Sequence, residues 1–202
     1  ISGHEPTTGR ELWRWGTWNP TRIGHWRLVP SPTVGSGVIL ACGPKDAPVY
    51  AVKAGGTGTL SHKSLAWQSH VQATDDAAEA APSQNIRELT TDVPTPLFYE
   101  GKFYILNGRK RKLYCVNPAD GAVVWSGDLG SKSDYQCSPT AADGKIYVMN
   151  FNADVSVIQA GGSEFKLLHT ANFKDDGDAT RHRSSVAISQ GNLFLRTGTK
   201  LF

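Results

Sequence analysis

The sequence predicts an all-β fold of repeated four-stranded antiparallel sheets, and three observations predict it. A turn ending in glycine introduces an apolar run four times, a short Ser/Thr-rich segment stands before each such turn, and third and fourth apolar segments follow. Recurrence at about 40 to 50 residues is the signature of stacked repeat units, and four antiparallel strands per unit match a propeller blade. Such a sheet cannot bury both faces alone, so neighbouring units must stack.

The first strand of each unit lies at Ser31-Pro32-Thr33-Val34, Thr95-Pro96-Leu97-Phe98, Ser138-Pro139-Thr140-Ala141 and Ser184-Ser185-Val186-Ala187-Ile188. Proline donates no ladder hydrogen bond, which places it at a strand's start or edge. The second strands follow Gly37, Gly101, Gly144 and Gly191, at intervals of 64, 43 and 47 residues. Aromatic and β-branched residues such as Phe103-Tyr104-Ile105 and Ile146-Tyr147-Val148 suit the pleated surface there. Third strands are expected at Val49 to Val52, Leu113 to Val116 and Val155 to Ile158, with a stub at Leu201-Phe202. Fourth strands follow further glycine turns, at Leu65-Ala66-Trp67, Val123-Val124-Trp125 and Phe165-Lys166-Leu167-Leu168. A β-sandwich of hairpins shares the regular strand spacing. The repeated order of turn types favours the propeller.

The chain opens on Glu5 to Trp13, a third-to-fourth-strand turn with its fourth strand, and closes as a third strand begins. The expected division is a half blade over 1–30, a blade over 31–92 with an inserted loop near 68–88, blades over 93–136 and 137–182, and a half blade over 183–202. That is about four blades' worth, three whole and two halves. The halves could pair to close a small ring; the favoured expectation is part of a larger ring of seven or eight blades.

The 202 residues carry a net charge of +3, and the basic residues are scattered apart from Arg109-Lys110-Arg111-Lys112, so nothing demands a nucleic-acid partner. No apolar run approaches the roughly 20 residues of a transmembrane helix. Cys42, Cys115 and Cys137 are odd in number and lack C-x-x-C spacing, which reads as three structural thiols, with one disulfide as the alternative.

Two segments carry a Thr/Asp-Gly-x-x-x-Trp signature, Thr8-Gly9-Arg10-Glu11-Leu12-Trp13 and Asp120-Gly121-Ala122-Val123-Val124-Trp125. With the Ser-Pro-Thr and Asp-Gly-Lys-Ile-Tyr-Val elements they resemble the pyrroloquinoline-quinone-like (PQQ-like) propeller repeat family, within the quinoprotein alcohol dehydrogenase-like superfamily. The family includes those dehydrogenases and a noncatalytic outer-membrane assembly lipoprotein. The resemblance implies that Trp13, Trp67 and Trp125 dock on adjacent blades; the third unit departs by placing Phe165 to Leu168 where the others carry Trp. It also implies an extracytoplasmic, periplasmic or secreted location. PQQ and calcium enter only through this resemblance. The vicinal Cys-Cys pair of many quinoproteins is absent, and Asp175-Asp176-Gly177-Asp178 lacks the downstream Glu of a calcium loop, so it reads as a solvated inter-blade loop.

For ligand binding, the aromatic stretch supplies Trp15, Trp18, Asn19, His25, Trp26 and Arg27: rings for stacking and polar groups to orient an anion. The competing reading is an inter-blade connection whose aromatics cover an apolar edge. His182, between Arg181 and Arg183, is a further candidate in a loop able to face the central channel, against an exposed loop. No metal site and no catalytic residue is assigned. The leading expectation is a noncatalytic scaffold that binds a protein partner or small ligand on its loop face, joined to the remainder of a larger propeller. The alternative is part of a quinoprotein dehydrogenase whose catalytic residues lie elsewhere.

Overall fold

The computed structural model describes residues 1–16, 27–43, 46–71 and 84–202. Three antiparallel sheets have four strands each. In chain order the strands are β1 (Ser2–His4), β2 (Glu11–Trp15), β3 (Thr33–Gly35), β4 (Val38–Cys42), β5 (Val49–Lys53), β6 (Gly58–Leu60), β7 (Leu65–Gln68), β8 (Leu97–Tyr99) and β9 (Lys102–Asn107). They continue with β10 (Lys112–Val116), β11 (Val123–Asp128), β12 (Thr140–Ala142), β13 (Lys145–Met149), β14 (Asp154–Gln159), β15 (Leu167–Asn172), β16 (Ala187–Ser189) and β17 (Asn192–Phe194). The full sheets run β3-β4-β5-β7, β8-β9-β10-β11 and β12-β13-β14-β15, each in chain order. A pair, β1-β2, precedes them, and a pair, β16-β17, follows. Leu201 bridges back to Arg196, so the stub pairs antiparallel with its neighbour as a third strand does.

Each first-to-second turn places two residues at positive φ: Ser36-Gly37, Glu100-Gly101, Asp143-Gly144 and Gln190-Gly191. That is the backbone of a two-residue hairpin, whose twist matches that of the strands it joins.

Alternation along the strands builds the cores. Phe103 and Ile105 of β9 join Leu40, Ala51 and Trp67 in the cluster between the first two full sheets. Tyr104 and Leu106, the intervening residues, face the next sheet with Trp125, Ile146 and Ile158. A strand buried on both sides reads as a continuous apolar run, as Phe103 to Leu106 does. Trp13 and Trp15 pack against Tyr50, Val52 and Leu65, and Met149 and Val155 against Val186 and Leu195, so every adjacent pair of sheets shares a core.

The Ser/Thr-Pro segments have a second task. The Ser31 N–H donates to the Thr95 hydroxyl (3.0 Å), the Thr95 N–H to the Ser138 hydroxyl (3.0 Å), and the Ser138 N–H to the Ser185 hydroxyl (2.9 Å). Each hydroxyl thus satisfies an N–H of the preceding unit, in a relay along the first strands.

One element lies outside the four-strand plan. The long turn between β5 and β7 carries β6, which pairs parallel with β2, Trp13 opposite Gly58 and Trp15 opposite Leu60. It covers the free edge of β2. The insertion expected near 68–88 falls mostly outside the described residues; its far end returns at Ile86, whose N–H donates to Ser69 O (2.8 Å), and at Leu89, fully buried in the core.

Candidate functional site

In a four-stranded meander the connections alternate sides. The second-to-third hairpins and the fourth-to-first connections therefore emerge on one face, and on that face the structure forms a cavity of about 260 Å³. Four adjacent units contribute to it, with Asp46, Asp92, Arg109, Gln136, Phe151 and Arg183 among the lining residues.

Backbone bonds fix these loops to one another. Tyr135 N–H donates to Gly108 O (3.1 Å), Phe151 N–H to Asp134 O (3.0 Å) and His182 N–H to Phe151 O (3.1 Å). The first contact is so close that a Cβ on Gly108 would lie 2.0 Å from the Tyr135 carbonyl oxygen. On the near rim, Thr90 and Thr91 hydroxyls donate to Ala47 O and Pro94 O, both at 2.7 Å.

The side chains are chiefly charged. The Arg181 and Arg183 guanidinium carbons each lie 5.7 Å from the centre of the Phe151 ring, within cation–π range. Arg183 Nε donates to the Gln136 amide oxygen (2.8 Å). Arg111 donates to Asp134 (3.0 Å), and Arg109 lies 3.9 Å from Asp46.

His182 is 4% exposed. The solvent-facing loop position expected for it belongs instead to its neighbours, since side chains alternate along this segment and Arg181 and Arg183 point outward. Its Nε2 lies 3.4 Å from Asp178 Oδ2. The acidic stretch is the solvated loop expected only in part, at Asp176 and Gly177. Asp178 is buried and accepts from the Thr180 amide (2.8 Å) and hydroxyl (2.6 Å), while Asp175 accepts from Thr199 and Lys200. Those bonds hold both carboxyls below the usual carboxylate range, Thr180 chiefly for Asp178 and Lys200 for Asp175. The Asp175 bonds, with one from the Gly198 N–H to Asp178 Oδ2 (3.3 Å), tie the loop after β15 to the turn after β17.

Trp15 is 4% exposed, its ring 5.0 Å from Tyr50 and 5.7 Å from His62, so the indole lies inside the core between the first two sheets. Arg27 is exposed. Trp18, Asn19, His25 and Trp26 lie outside the described residues.

The docking tryptophans share one register position, beside an irregularity at the start of the fourth strand: Trp13 opposite Gly3, Trp67 opposite Ala51, Trp125 opposite Cys115. Trp67 Nε1 donates to Pro118 O and Trp125 Nε1 to Gly161 O, both at 2.8 Å, each carbonyl in the third-to-fourth turn of the next sheet. Trp13 lies over Gly3 within the shared core. In the last full sheet the equivalent position is His169, opposite Val157. Phe165 instead lies in the turn that receives Trp125, its ring 5.7 Å from the indole.

All three cysteines are free and buried. Burial pushes the Cys42 and Cys137 thiols up to about 12 and Cys115 to about 11, so they are protonated and inert at neutral pH. Among the described residues no group of three or more His, Cys, Asp or Glu side chains gathers to hold a metal ion. The described tryptophans are buried at sheet junctions and offer no face to a planar cofactor. These residues do not fit a calcium–quinone site. No helix among them is long and apolar enough to cross a membrane.

Stacked four-stranded sheets with junctional tryptophans define a PQQ-like β-propeller architecture. A family model described as outer membrane protein assembly factor BamB matches residues 1–202, and the chain belongs to that family. The crystal structure of BamB from Moraxella catarrhalis is similar over 95% of this chain and 50% of its own, at 10% identity and a TM-score of 0.61. The chain thus spans about half the length of that structure. The computationally designed Ika4 protein is similar over 96% of this chain and 98% of its own (10% identity, TM-score 0.60). A europium-containing methanol dehydrogenase is similar over 74% and 25% (12% identity, TM-score 0.50). At these identities the likeness is one of fold. No curated protein sequence matches the chain.

Proposed function

We propose that this chain is a noncatalytic propeller module that holds a protein partner on its loop face, in an extracytoplasmic compartment. The observation that supports the reading is the loop-face cavity, whose walls come from adjacent units and are cross-bonded through their backbones, with an aromatic and several charged side chains inside. Pre-ordered loops of this kind bind without a large ordering cost. Membership of the BamB-type family supports the partner class and the compartment.

The competing reading is a quinone-dependent dehydrogenase. Its cofactor finds no donor set among the described residues.

Affinity capture with the full-length protein, run beside an assay of alcohol and sugar oxidation with added quinone and calcium, tests the proposal. A specific protein partner with no oxidation is expected. Oxidation without any partner would overturn it.

A further inference from the structure

The cavity continues into a second hollow of about 420 Å³, which shares Asp134, Phe151 and Arg181 with it and adds Lys132 and Lys174. We infer that this continuous groove is a site for an extended acidic peptide segment, with Arg181 and Arg183 each gripping a carboxylate beside Phe151; the inference rests on the scaffold reading and deepens it.

Charge balance along the groove carries the argument. Asp134 is engaged by Arg111, and Arg109 faces Asp46. Among the described residues, Lys132, Lys174, Arg181 and Arg183 meet no carboxylate within ion-pairing distance, although Arg183 is oriented by neutral Gln136. Four uncompensated cations line one groove, whose two hollows suit an extended occupant rather than a compact one. A guanidinium presents a rigid fork that matches a carboxylate in two parallel bonds. Phe151 adds an apolar surface between the two forks against which side-chain methylenes pack.

The acidic rim selects among anions. Asp46, Asp92 and Asp134 stand in the same wall, so the cations are interrupted rather than continuous, a spacing that suits charges set at intervals better than a polymer charged at every unit, such as a nucleic-acid strand. A peptide with carboxylates at intervals sets them between the acidic positions. A rigid frame supports such selection, because the peptide backbones carrying Phe151 and His182 are bonded to the neighbouring loops.

The test uses fluorescence anisotropy on the full-length protein with an end-blocked, labelled peptide of alternating glycine and glutamate, its glutamine counterpart and an oligothymidylate of equal charge. The glutamate peptide should bind, the glutamine peptide and oligonucleotide should not, and affinity should fall with salt. Arg181→Gln and Arg183→Gln should each weaken binding about tenfold. Lys166→Gln, an exposed cation in a turn on the opposite face, should leave it unchanged. Both arginines are exposed, and an unchanged near-ultraviolet circular dichroism spectrum establishes that the variants are folded. Equal binding by the glutamine peptide, tighter binding by the oligonucleotide, or indifference to both substitutions overturns the inference. A double variant that still cross-links its partner at the loop face overturns this inference alone and leaves the scaffold reading standing.

Discussion

The Trp67 indole fills the core between two sheets with none of its surface exposed, and its N–H meets a carbonyl of the next sheet's turn. Its ring also fixes a neighbour: Gly121 sits at φ +75°, and a Cβ there would lie 2.6 Å from the indole. Trp67→Ala should therefore cost about 3–5 kcal/mol of stability by denaturant unfolding. Trp67→Phe should cost less, since it keeps most of the packing and loses one bond of about 1 kcal/mol net. Gly121→Ala suffers both backbone strain and the clash and should exceed about 1 kcal/mol. Trp67 and Trp125 are legible in the sequence because Gly and Trp recur at fixed offsets from the turns. His169 is not, because the turn before it is longer: Gly161 stands eight residues ahead of it, where Gly9 and Gly121 stand four ahead of their tryptophans. Only the ladder shows that Phe165 receives a tryptophan rather than replacing one.

Among the elements, the strands of the three full sheets begin within two residues of where the glycine turns and apolar runs place them, and the fourth strands Val123–Asp128 and Leu167–Asn172 run three and four residues beyond the expected ends. Strands buried on two faces and joined by two-residue turns leave a strong pattern. β6 leaves none, being three residues among glycines, with no alternation and a parallel partner far away in sequence. The loop after β15 was equally opaque, since acidic residues in a row read as solvated until Thr180, Thr199 and Lys200 are seen around them. Asp178 and Asp175, with carboxyl pKa values below the ordinary one, stabilise the fold at neutral pH. The sign follows from linkage: their contribution is complete above the unfolded value of about 3.9 and is lost as pH falls through the lower folded values. Asp178→Asn should reduce stability at pH 7 and flatten its decline below about pH 4, followed by denaturant midpoint against pH.

Across the whole molecule, each sheet shares a core with the next, and the three thiols are sealed in those cores or beside them. They should resist a water-soluble thiol reagent under native conditions and react on unfolding. Because folding raises their pKa values to about 11 and 12, their contribution to stability is complete below the unfolded value of about 8.5 and fades as pH rises through the folded ones. The denaturant midpoint should fall across that alkaline range. The cavity belongs to this scale too, which is why the sequence hid it. Asp46, Arg109, Gln136 and Arg183 are separated by tens of residues and meet only because successive units place their loops on one face. In the sequence Arg109 to Lys112 stand only as a basic run, and Arg181 and Arg183 only as neighbours of His182. The signal that points to the site is the phase of the loops within the repeat, not any local motif.

Photo-cross-linking of the full-length protein to its partner tests the scaffold account most directly, with the photoreactive residue placed in turn at Arg109 and Gln136 on the loop face and at Glu100 and Asp143 on the opposite face. The account predicts partner adducts from the first two positions and none from the second two. Adducts confined to Glu100 and Asp143, or equal from both faces, would contradict it.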